Sequence, residues 1–129
     1  MTSHDPSAVL QLILKTLDEN KATEIVDIDL QGKSPIADYM VLATGSSSRQ
    51  VVALAQKVLD ETARAFPAIP QRVEGVAEGE WVLVDLNDVI VHLFRPEVRS
   101  FYALEKMWMA TSPSTEHRRM ISKKTADAE

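Results

Sequence analysis

No cysteine occurs anywhere in the 129-residue chain, so disulfides, thiol nucleophiles and cysteine-ligated zinc are excluded together. The absence is compatible with a reducing compartment. No apolar run approaches the roughly 20 residues needed to cross a bilayer. The opening MTSHDPSAV has no basic segment leading into an apolar core. The expectation is a soluble, cytoplasmic protein without a membrane partner. Positive charge is also short: the net charge of -5 argues against a broad basic surface for nucleic acid, which binds by phosphate neutralisation. In residues 111–129, Arg118, Arg119, Lys123 and Lys124 outnumber Glu116, Asp127 and Glu129. Little direct RNA contact is expected, and any would be local to this tail.

What is present is an ordinary globular composition, 45% hydrophobic and 26% charged, which excludes a mostly disordered chain. The length suits one domain that buries roughly two-thirds of its unfolded surface. We read residues 1–110 as that domain and residues 111–129, polar and without periodicity, as a flexible tail.

Asp5-Pro6 signals a helix start, and Val9, Leu10, Ile13, Leu14 and Leu17 follow at helical spacing to about Glu19. Residues 25–30 alternate: Val26, Ile28 and Leu30 point one way, Asp27 and Asp29 the other. A second strand covers Tyr39–Thr44. Gly45 and three serines then open a helix striped by Val51, Leu54, Ala55, Val58, Leu59 and Thr62, which Pro67 and Pro70 end. Arg72–Gly75 suggests a short strand.

The stretch from Gly79 to Trp108 holds five of the seven aromatics. It reads as strands Trp81–Leu86 and Val89–Phe94 joined at Asn87-Asp88, then a helix from Glu97. That helix carries more apolar surface than one sheet covers, which suggests a partner, a homodimer of the free chain included. The order α, β, β, α, β, β, β, α predicts an α/β fold, a mixed β-sheet packed with helices.

Two chemistries compete for these residues. Asp27 and Asp29 share a strand face; with Asp85 they could hold Mg²⁺ while Gly45-Ser46 cradles a phosphate, the layout of a nucleotidyltransferase. The plainer reading makes the carboxylates a solvated face and the serines helix caps. His92 lies in an apolar run with no evident nucleophile, which favours a hydrogen-bonded structural role over a general base. The three histidines are too scattered for a metal site, and no metal or cofactor is expected. Trp81 is either core or an interface anchor. Glu105 needs a cation or N–H partner that the sequence does not name.

Six blocks then occur in order: Ser34–Tyr39, Ala43–Gln50, Glu74-Gly75, Trp81–Asp85, Asp88–Phe94 and Arg99–Trp108. Over roughly residues 5–109 they resemble the ribosomal silencing factor (RsfS, Iojap) family. Asn87 stands where that family usually has glycine, and Asn also tolerates a left-handed turn. The resemblance implies a nucleotidyltransferase-like fold without catalysis. It implies a translation repressor that binds the large ribosomal subunit through its L-fourteen protein and blocks small-subunit joining under nutrient limitation. It also assigns partner contacts to Trp81, Leu86, Arg99 and Tyr102, supported by Asp85 and His92.

Overall fold

The computed structural model describes residues 5–98. Helix α1 (Pro6–Glu19) starts where Asp5 accepts the Ser7 N–H at 3.0 Å and Pro6 fills a position that needs no donor. It buries Val9, Leu10, Ile13, Thr16 and Leu17 along one stripe. Strand β1 (Thr23–Asp29) begins two residues earlier than the alternation predicts, because Thr23 pairs with Thr44 across a bulge that includes Glu24 at φ 49°. It ends at Asp29, where Leu30 turns its N–H to the Asp38 carbonyl at 2.8 Å.

Strand β2 (Tyr39–Thr44) leads through Gly45 into α2 (Ser48–Ala65), capped by Ser47. Strand β3 (Arg72–Glu74) follows, then β4 (Trp81–Asp85) and β5 (Val89–Phe94). Between β4 and β5, Asn87 sits at φ 74°, the left-handed turn expected of it. Leu86 donates to the Val89 carbonyl at 2.9 Å, but its own carbonyl accepts the Asp88 N–H at 2.9 Å, so the reciprocal ladder bond is missing and β4 stops one residue short of the predicted Leu86. Residues 96–98 are helical, as expected from Glu97 onward. The rest of the helix expected there, the expected boundary at residue 110 and the expected tail lie outside the described residues.

The five strands form one mixed sheet in the order β1-β2-β5-β4-β3. Among the described residues only β2 and β5 pair in parallel; the other neighbours are antiparallel. β5 lies inside the sheet, and its six residues are all buried. Burying one such apolar side chain is worth roughly 1.5–3 kcal/mol.

The register fixes two faces. Val41, Ala43, Val82, Val84, Leu86, Val89, Val91 and Leu93 meet α1 and α2 in one cluster. Ile28, Met40, Leu42, Trp81, Ile90 and Phe94 form the other, joined by Leu30, Ala37 and Val98. On this second face the pairings give three rows: Ile28, Met40, Ile90 and Asp85; then Val26, Leu42, His92 and Leu83; then Thr44, Phe94 and Trp81.

Candidate partner-binding face

The chemistry of the second face centres on three rings. β4 sends Trp81, Leu83 and Asp85 to one side because successive strand residues alternate. The two-residue hairpin then sets Phe94 opposite Trp81 and His92 opposite Leu83. The Trp81 indole N–H donates to Nδ1 of His92 at 2.9 Å. An indole nitrogen can only donate, so Nδ1 is the acceptor, and the neutral imidazole carries its proton on Nε2. Trp81 and Phe94 have ring centroids 6.2 Å apart at 58°, and His92 and Phe94 are 6.4 Å apart at 25°. These separations suit offset and tilted aromatic packing.

Trp81 is 5% exposed, and His92 and Phe94 are fully buried. The expected structural histidine is therefore what the fold contains, with a named donor.

Asp85 lies on the same face, half-buried, and its Oδ1 accepts the Asn87 N–H at 2.9 Å. It stabilises the hairpin turn and stays at the margin of the ring cluster. Leu86 does not join this group. It is 1% exposed within the α1/α2 cluster, on the opposite face of the sheet. The set assigned by resemblance is thus divided by strand alternation: Trp81, His92 and Asp85 share a face, and Leu86 anchors the hairpin from behind. Arg99, Tyr102 and Glu105 lie outside the described residues.

The alternative metal site is not assembled. Asp27 and Asp29 pair with Val41 and Tyr39, which places them on the α1/α2 side, exposed on an edge strand. Asp85 faces the other way, with β2 and β5 between β1 and β4. Three neighbour spacings of about 4.8 Å put its strand roughly 14 Å from theirs. Asp29 is also engaged, its Oδ1 accepting the Gln31 N–H at 2.9 Å. Among the described residues no three His, Asp or Glu gather as metal ligands.

The Gly45-Ser46 turn is filled from within. The Gln50 side-chain oxygen accepts from Ser46 N–H at 2.6 Å and Ser46 Oγ–H at 2.8 Å, where a phosphate oxygen would bind. Ser47 Oγ accepts the Gln50 N–H at 3.1 Å, the capping role expected of the serines. The spacing Ser47-x-x-Gln50 carries a capping-box signal that points to Gln50 in the sequence itself. Phe94 was likewise recoverable, since a two-residue turn at Asn87-Asp88 fixes its register against Trp81.

Acidic charge collects at the other end of the sheet. Partial burial, then Asp29, Asp5, Asp38 and Asp27, push the Tyr39 phenol above its ordinary pKa.

Among the described residues, a five-stranded mixed sheet with two helices on one face and a hydrogen-bonded ring cluster on the other defines a small α/β domain. The chain belongs to the family described as ribosomal silencing factor during starvation, whose model matches residues 3–129. It is similar to the ribosomal silencing factor RsfS of Zymomonas mobilis, 54% identical over 107 residues that cover 83% of this chain and 80% of that protein. A crystal structure of a Chromobacterium violaceum protein shares the fold with a TM-score of 0.78 at 35% identity, covering 86% of this chain and 92% of that one. A mouse protein named for mitochondrial assembly of the ribosomal large subunit is 27% identical over 80% of this chain, which spans 46% of its length. The family is a regulatory one, and translation is its field of action.

Proposed function

We propose that the chain binds the large ribosomal subunit through its L-fourteen protein, at the face where the small subunit joins, and represses translation sterically. The observation that carries this reading is the family match over residues 3–129. The name of the mouse relative adds the large subunit as the side addressed. Blocking needs no chemistry from the bound protein; a patch of about 800 Å² per partner suffices where it overlaps an intersubunit contact. The carboxylates on opposite sheet faces and the self-filled Gly-Ser turn support a non-catalytic role.

In this reading Asp85, Arg99 and Tyr102 meet the partner. Trp81 and His92 hold the surface from beneath, and Leu86 secures the hairpin tip. An acidic body suits a basic ribosomal protein while avoiding bare RNA. The free chain can pair as a homodimer that opens to bind the subunit, and the protein acts in the cytoplasm. Co-sedimentation with separated subunits tests the assignment. Wild type pellets with large subunits only, and Tyr102→Ala weakens this by about 1–4 kcal/mol with an unchanged melting curve. Equal binding by the variant removes Tyr102 from the interface.

A further inference from the structure

The outer edge of β3 bears no strand among the described residues, and its three residues are all exposed. Val73 at 40% and Val76 at 42% are the exposed large hydrophobics of the described residues, and they lie three positions apart here. Scattered surface valines are ordinary, but Val73 on the open edge and Val76 on the rigid turn that follows it form a surface. The turn is held by its glycines. Gly75 has φ +89°, and a Cβ there would lie 2.2 Å from the Trp81 carbonyl oxygen. Gly79, at φ +68°, donates to the Gly75 carbonyl at 3.1 Å, and its own Cβ would meet Ser48 at 2.9 Å. The turn is therefore clamped between the start of β4 and the start of α2, which presents Val76 in one place at little entropic cost on binding.

We propose that the β3 edge and its turn form a second contact surface, which takes an extended basic segment of a ribosomal protein by strand addition. Main-chain groups of an open edge supply the pairing, and alternate side chains supply the selectivity. Glu74, on the face of β3 opposite Val73, and Glu78 in the turn are exposed at this edge, and Arg72 at 3.8 Å from Glu74 offsets only part of that charge. The complementary segment alternates Lys or Arg with apolar residues. A three-residue edge is too short to recruit a partner alone, so it adds to the ring-cluster face rather than replacing it. The inference rests on the proposed ribosomal role.

The test uses the full chain, purified large subunits and two double variants, V73S/V76S and E74Q/E78Q, each checked for an unchanged melting curve. Binding is expected to weaken about tenfold for the valine pair. For the glutamate pair it weakens several-fold at low salt and little at high salt. If wild type fails to bind large subunits, the ribosomal role itself is wrong. If wild type binds and both variants match it, the edge is not a contact surface and the ribosomal role stands. A changed oligomeric state of the free variants with wild-type subunit binding also overturns the inference, by making the edge a contact between copies of this chain.

Discussion

The Trp81 indole N–H donates to His92 Nδ1 across the buried face of the β4/β5 hairpin, at 2.9 Å. Because the donor has no alternative role, it selects the imidazole tautomer. Nitrogen NMR is expected to find His92 with its proton on Nε2. Trp81→Phe keeps a ring but removes the donor, and the buried acceptor loses that bond. The expected loss of stability is about 1–3 kcal/mol by denaturant unfolding. An unshifted midpoint contradicts the role given to this bond.

Gly75 makes a sharper demand on the backbone. A methyl group there would stand 2.2 Å from the Trp81 carbonyl oxygen, at a φ of +89° that side chains rarely adopt. Gly75→Ala should destabilise the fold by more than about 2 kcal/mol. Gly32, also at positive φ but with nothing within 4 Å, is the control, and its alanine variant should lose less.

Tyr39 predicts an alkaline limb. Its folded pKa lies above the ordinary value of 10.0, from partial burial and then the neighbouring carboxylates. Between the two pKa values the unfolded chain has released a proton that the folded chain keeps, so stability falls as pH rises through this window. Well below pH 10, where the phenol is protonated in both states, the effect is absent. Tyr39→Phe should flatten the limb, and equal slopes in both proteins between pH 9 and 11 would rule out this origin.

Asp27→Asn tests the discarded metal site. The side chain is exposed on an edge strand, away from Asp85, so stability should change by less than about 0.5 kcal/mol. Mg²⁺ with nucleoside triphosphate should leave the melting temperature of wild type and variant alike. A Mg²⁺-dependent rise lost in the variant would restore the nucleotidyltransferase reading.

Most of the architecture was legible because the periodicities are clean. The stripe from Val9 to Leu17, the alternation from Trp81 to Asp85 and the Asn87-Asp88 turn each mark their element and its faces. The bulge at Glu24 was not, since a positive φ at glutamate has no residue signature. At the candidate site, alternation alone separates Leu86 from Trp81, yet the family resemblance groups them. Resemblance carries residues forward without their direction; strand geometry supplies it. The choice between buried brace and exposed anchor for Trp81 needed three dimensions, because either role wants an aromatic at that position.

Subunit joining tests the central claim most directly. Purified large and small subunits are mixed with and without excess chain, and joined ribosomes are followed by light scattering and gradient sedimentation. The account predicts that the chain, added to large subunits first, suppresses joining in proportion to its occupancy, while preincubation with small subunits alone gives no additional effect. Unimpaired joining at saturating occupancy of the large subunit would contradict it.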